Sequence, residues 1–180
     1  MKNRFQLLLV FLVLFLSCNY SSNKKQETVL YEKEGLSFQL PKYWKVEKDR
    51  AIEGVLNSRF LSVSNKEPLS GDEFFVITAI DSGKSLSYIM DVLIKQSSAS
   101  YAKRNMDFGL LTQAKAIKIG SRQALRSTFE TKLIGSSNKG TFTVFNHANK
   151  TFSFISSAET KNIKENTAVV DSVIKSLKMK

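Results

Sequence analysis

A single cysteine stands at position 18, where an unbroken apolar run stops. With no second thiol, the chain forms no internal disulfide and no cysteine-rich metal site. Whatever domain it makes must be held by its buried core alone. The run covers residues 7–16, ten positions, and Lys2 and Arg4 precede it. Ten residues are too few for a transmembrane helix, which needs about 20. A positive start followed by a short apolar stretch is the layout of an export signal peptide. No polar face interrupts the run, which argues against an amphipathic helix of the domain.

Residues Phe15-Leu16-Ser17-Cys18 resemble the lipobox of bacterial lipoproteins. Ser17 and Cys18 fit that pattern, while Phe15 stands where leucine is usual. The resemblance implies cleavage before Cys18 and acylation of its sulfur with fatty chains such as palmitate. Residues 1–17 would then be the signal peptide, 18–28 a lipidated flexible tether, and 29–180 the domain. Each buried CH₂ contributes about 0.8 kcal/mol and a single chain binds only marginally. Two or three chains on one residue anchor firmly without a transmembrane helix. The tether segment is polar and lacks apolar periodicity. Asn19, following the cysteine, leans toward an outer membrane facing the periplasm where a cell has two membranes. The expected localisation is therefore the cell envelope.

The remainder is normal for one globular domain, with 42% hydrophobic and 24% charged residues in a chain of 180. Thirteen phenylalanines and only two prolines favour a sheet-based fold. The net charge is +11, and loss of Lys2 and Arg4 with the leader lowers it by two to +9. Such a surplus attracts polyanions, but the lysines are spread along the chain and never massed in a block. Export also removes the domain from intracellular nucleic acid, so no nucleic-acid partner is expected.

Along the domain, residues 28–31 read as a short strand and 36–40 alternate apolar and polar with period two. Pro41 ends that strand. Residues 43–46 and 59–64 continue the strand pattern. Residues 73–80 are almost continuously apolar, as expected of a central strand covered on both faces. Ser85 or Ser87 can cap a helix to about residue 103, with Leu86, Ile89, Met90, Leu93 and Tyr101 at helical spacing. Residues 108–112 and 116–119 read as two strands and 123–133 as another, with Leu125, Phe129 and Leu133 on one face. Residues 135–140 read as a hairpin loop. Residues 141–147 and 151–157 pair across a turn, with Phe142, Val144, Phe152 and Phe154 expected inward. Asn162 begins a last helix through residue 178, whose apolar stripe is Ile163, Val170, Val173, Ile174 and Leu177. Hairpin strands with one inserted and one terminal helix predict an α+β fold, an antiparallel β-sheet flanked by helices.

This organisation resembles the PsbP-like superfamily. The residues that carry the likeness are Leu36-Ser-Phe-Gln-Leu-Pro-Lys-Tyr-Trp44, then Ile119-Gly-Ser-Arg-Gln-Ala124, then the closing Ser172-Val-Ile-Lys-Ser-Leu-Lys178. The resemblance implies a PsbP-like sandwich and an accessory or binding role, and it carries over no catalytic residue.

No motif assigns catalysis. His147 is the sole histidine and lacks the partners a base or metal ligand needs. No G-x-S-x-G occurs. The loop from Gly135 to Gly140 lies between strands and lacks Walker spacing. Asp72, Glu73 and Glu159 form no calcium-loop pattern. No cofactor and no metal are expected. Tyr43 and Trp44 could line a ligand cleft or lid the core. Arg122 and Arg126 share a strand face and could join Lys132 in a basic patch, or stand in solvent. The expected function is a membrane-anchored, non-enzymatic accessory or binding module with an envelope protein or small ligand as partner. The alternatives are a binder of lipid headgroups or glycans, and a hydrolase with an unfamiliar site.

Overall fold

The computed structural model describes residues 27–68 and 70–180. The expected signal peptide, Cys18 and most of the tether lie outside the described residues. The elements run β1 (Thr28–Lys33), β2 (Leu36–Pro41), β3 (Trp44–Arg50), β4 (Arg59–Asn65), β5 (Phe74–Asp81), α1 (Leu86–Ala102), β6 (Asp107–Ile119), β7 (Arg122–Leu133), β8 (Ser136–His147), β9 (Lys150–Glu159), α2 (Ile163–Ser176) and β10 (Lys178–Met179). Seven strands form one antiparallel sheet in the order β3-β4-β5-β9-β8-β7-β6, and β1-β2-β10 form a small second one. This is the expected α+β class, with two antiparallel sheets and two helices.

The large sheet is covered unequally on its two faces. On one face, β2, α2 and the small sheet bury Leu61, Val63, Phe75, Ile77, Phe152 and Phe154 together with Phe38 and Val170. On the other face, α1 lies across β6, β7 and β8 and buries Phe129, Phe142 and Val144 against Ile89 and Met90. The four residues expected inward on the last hairpin are thus all buried, but toward opposite faces. Phe142 and Val144 point to α1, whereas Phe152 and Phe154 point to α2. Each fully buried aromatic of this kind contributes about 1.5–3 kcal/mol by leaving water.

Strand β5 departs from expectation. Phe75, Ile77 and Ala79 are buried, while Phe74, Val76 and Thr78 on the opposite face stay half-exposed. Its apolar run is central in the hydrogen-bonded order but is fully covered on one face only. Residues 107–119 form one strand rather than two, because register shifts after Leu110 and Thr112 absorb the break in pattern. Strand β8 begins at Ser136, so the expected loop of residues 135–140 shrinks to a two-residue turn, Ile134-Gly135. Gly135 supplies the positive φ of +80° that this turn requires. Gly140 is needed for another reason: a Cβ there would collide with the Ser156 carbonyl and the Phe129 ring.

Ser85 caps α1 as expected, accepting a hydrogen bond from the Tyr88 amide at 3.2 Å. Asn162 occupies the corresponding place before α2, but its side chain makes no capping hydrogen bond. That helix stops at Ser176, two residues earlier than its apolar spacing suggests. Leu177 turns extended, and Lys178–Met179 pair with β2 beside Leu36 and Ser37. Of the expected α2 stripe, Val170, Val173, Ile174 and Leu177 are buried, and Ile163 is half-buried.

Candidate binding cavity at the Trp44 rim

Pairing register brings certain strand ends to one rim of the large sheet. They are the start of β3, the end of β4, the start of β5 and the end of β9. Pro41 ends β2, and the turn through Lys42 and Tyr43 delivers Trp44 to this rim as the first residue of β3. Trp44 is only 5% exposed. Its ring stacks on Phe75 at 5.3 Å, which stacks on Phe154 at 6.1 Å. The indole is therefore both part of the core and a wall of a cavity of about 290 Å³.

Apart from Pro68 and Val169, the rest of the wall is polar and acidic. Asn65 ends β4, Glu67 and Ser70 come from the loop before β5, Glu73 directly precedes β5, and Asn162 and Glu165 come from the start of α2. Glu73 is buried and its carboxylate accepts a hydrogen bond from Asn65 Nδ2 at 2.9 Å. Backbone bonds lock the same pair, since the Asn65 amide donates to the Glu73 carbonyl at 3.0 Å. Asn65 Oδ1 accepts from the Glu67 amide at 3.0 Å, and Ser70 Oγ donates to the Glu67 carbonyl at 2.7 Å. The loop is thus held in a shape that presents Glu67, Glu73 and Glu165 around one indole. An aromatic wall ringed by carboxylates suits a cation or a group rich in N–H donors. No group of three metal-ligating side chains forms among the described residues.

The residues singled out from sequence fall in different places. Trp44 lines the cavity, whereas its neighbour Tyr43 is exposed outside it and offers its carbonyl to the Lys66 amide at 2.8 Å. Arg122 and Arg126 do share a face, but α2 covers it. Arg126 donates from Nε to Thr143 Oγ1 at 2.9 Å and from Nη2 to Asp171 Oδ1 at 2.5 Å. Arg122 donates from Nη2 to the Leu177 carbonyl at 2.5 Å and from Nη1 to the Lys175 carbonyl at 3.3 Å. It thereby sits at the negative end of α2, a favourable place for a cation. Its guanidinium lies 5.9 Å from the Phe145 ring centre. Lys132 is apart from both, paired with Glu130 at 3.0 Å. His147 ends β8 at the opposite rim, and burial followed by the nearby Arg122 charge pushes its pKa down.

A second charged cluster escaped sequence reasoning altogether. Asp49 on β3 accepts from Arg59 Nε at 2.8 Å and Nη2 at 2.7 Å, from Tyr31 Oη at 2.5 Å, and pairs with Lys33 Nζ at 3.2 Å. Arg59 Nη1 also donates to the Lys33 carbonyl at 2.9 Å. The cluster clamps the small sheet to the large one. The Arg59 guanidinium holds the Asp49 carboxyl well below the usual carboxylate range. Burial, then the hydrogen bond to Asp49 and its charge, pushes the Tyr31 hydroxyl up to about 12.

No protein-family model matches the chain, and no curated protein matches it by sequence. Solved structures do. Cyanobacterial PsbP (CyanoP) from Synechocystis sp. PCC 6803 superposes with a TM-score of 0.58 at 14% identity, over 91% of this chain and 98% of that one. A protein from Bacteroides thetaiotaomicron VPI-5482 gives a TM-score of 0.56 at 18% identity over 86% of this chain. The chain spans about half of that protein, covering 49% of its length. LpqN, involved in cell envelope biogenesis of Mycobacterium tuberculosis, gives 0.50 at 10% identity, over 91% of this chain and 99% of that one. At these identities the likeness is one of fold.

Proposed function

We propose that this chain is an envelope lipoprotein, anchored through an acylated Cys18, whose domain is a non-enzymatic accessory or binding module. Its ligand site is the cavity over Trp44, and the ligand presents a cationic or N–H-rich group. The observation that carries this reading is charge contrast. In a chain of net charge +11, three carboxylates and one indole converge on a single recess. An acidic recess in a basic protein selects against the polyanions that the surface at large attracts. The envelope assignment draws on the lipobox resemblance and on the fold shared with LpqN, a protein involved in cell envelope biogenesis. No described helix is long and apolar enough to cross a membrane.

An accessory role also suits the placement of reactive groups. The only histidine is at the opposite rim from the cavity, and Ser70, a hydroxyl of its wall, donates to the Glu67 carbonyl at 2.7 Å rather than to a carboxylate. The polyanion reading loses two of its contributors, because the Nη donors of Arg122 are turned to the carbonyls ending α2 and Arg126 is bound to Thr143 and Asp171.

Trp44 is the only tryptophan in the chain, so its emission reports on the cavity directly. Titration with choline and with spermidine is expected to change that emission saturably. Glu73→Gln should weaken the response, and sodium chloride at matched ionic strength should not reproduce it. An emission indifferent to both probes would remove the cavity from the proposal.

A further inference from the structure

The tip of the β7–β8 hairpin carries residues for which the fold gives no reason. Ile134 is fully exposed and Leu133 is 46% exposed. A two-residue turn of this kind is served by Asn, Asp, Gly or Ser, and a β-branched aliphatic gains nothing there. Beside this tip runs the turn from α1 into β6, because Asp107 pairs with Lys132. That turn carries the exposed Lys103 and Arg104, and the Lys132 side chain is itself mostly exposed. Two aliphatic side chains thus project beside three cations, of which Lys132 is paired with Glu130 and faces Asp107 in register while Lys103 and Arg104 carry the net positive charge. A protein interface is enriched in aromatics and depleted of lysine, and this tip shows neither feature. Aliphatic residues with a basic collar match the acyl boundary and the phosphates of an anionic bilayer.

The position of the tip fits the same occupant. The ends of β7 and β9 and the starts of β8, β6 and β3 share one rim. The chain also enters at this rim: the Glu27 carbonyl accepts from the Lys42 amide at 2.9 Å, next to Tyr43 and Trp44. Five strand spacings separate β3 from β7, a span of about 24 Å. The segment joining Cys18 to Glu27 reaches about 30 Å when extended. A domain held at Cys18 can therefore set this tip on the membrane that holds it.

We propose that Leu133 and Ile134, with Lys103, Arg104 and Lys132, form a second membrane contact that docks the tethered domain rim-down on an anionic bilayer. This rests on the lipid-anchored reading of Cys18. It also gives that reading a geometry, since the Trp44 cavity lies on the docked rim, and its ligand is then met close to the headgroups.

The test uses the full acylated protein carrying Ile134→Cys, in vesicles of phosphatidylethanolamine and phosphatidylglycerol. A polarity-sensitive fluorophore is attached to the new thiol, Cys18 being blocked by its lipid. The control is Leu56→Cys, 88% exposed in the loop joining β3 to β4 at the opposite rim. Emission from position 134 should shift to the blue and be quenched by lipid-borne quenchers, while position 56 stays aqueous. Lys132→Glu with Arg104→Glu should abolish the shift without releasing the protein. If the protein floats with the vesicles and position 134 stays aqueous, the tip contact is refuted and the anchor stands. If the protein does not float at all, the anchor falls and the tip contact with it. Protection of position 134 that appears only when envelope proteins are added would assign the tip to a protein partner and overturn the membrane assignment.

Discussion

Replacing Asp49 with alanine isolates the clamp between the two sheets. Asp49 and Arg59 have side chains only 10% and 13% exposed. Removing the carboxylate leaves Arg59 Nε and the Tyr31 hydroxyl without their acceptor, and Arg59 Nη2 with only the Tyr31 oxygen at 3.4 Å. Each buried group stripped of its partner costs about 1–3 kcal/mol. Arg59 keeps its bond to the Lys33 carbonyl, and the half-exposed Lys33 returns to water, which tempers the total. The expected loss is about 3 kcal/mol, or roughly 6–12 °C in Tm for a domain of this size. Urea unfolding followed by circular dichroism measures it. Asp49→Leu with Arg59→Met should recover much of the loss, because two well-packed apolar residues leave no orphaned charge.

The pH dependence carries a second signature of the same clamp. Folding lowers the Asp49 pKa, so the unfolded chain binds that proton more readily. Its contribution is complete above the ordinary carboxylate value of about 3.9 and fades as pH falls toward the folded value. Tyr31 works the other way. Its hydroxyl is raised to about 12, so its contribution is complete below about 10 and is lost as pH rises through 12. A loss under about 1 kcal/mol for Asp49→Ala, with an acid limb unchanged from the parent, would refute the clamp.

Three further substitutions test the packing. Trp44→Ala should cost about 3–5 kcal/mol in chemical denaturation, because the ring is buried against Phe75; a change near zero would contradict its place in the core. Gly140→Ala should destabilise by about 3 kcal/mol or more, or abolish soluble expression, because its Cβ meets the Ser156 carbonyl and the Phe129 ring. Ala148 sits at φ +49° in the two-residue turn joining β8 to β9. Ala148→Asn should therefore raise stability by about 0.5–1 kcal/mol, read as a higher denaturation midpoint.

Legibility in the sequence followed the reach of each signal. Period-two and period-3.6 patterns are local, so strands β2, β4 and β7 and the body of both helices could be read directly. The two residues of β10, Lys178 and Met179, pair with Ser37 and Leu36 from the far end of the domain and have no pattern of their own to read. The polar start of β8 reads as a loop because Ser137 to Lys139 pair with equally polar residues on β7. Alternation shows that Phe142 and Phe145 point to opposite sides, but not that helices would cover both. The site was half legible. Trp44 drew notice as an aromatic pair after a proline, yet Glu73 and Glu165 come from distant elements and only the fold brings them to it. Arg122 and Arg126 looked available because nothing local reveals that α2 returns to cover them.

Intact-mass measurement of the protein extracted from membranes tests the central claim most directly. The account predicts a chain beginning at Cys18 whose mass exceeds that of residues 18–180 by two or three fatty chains and their glycerol. A chain beginning at Met1, or one beginning near Cys18 with an unmodified thiol, would contradict it.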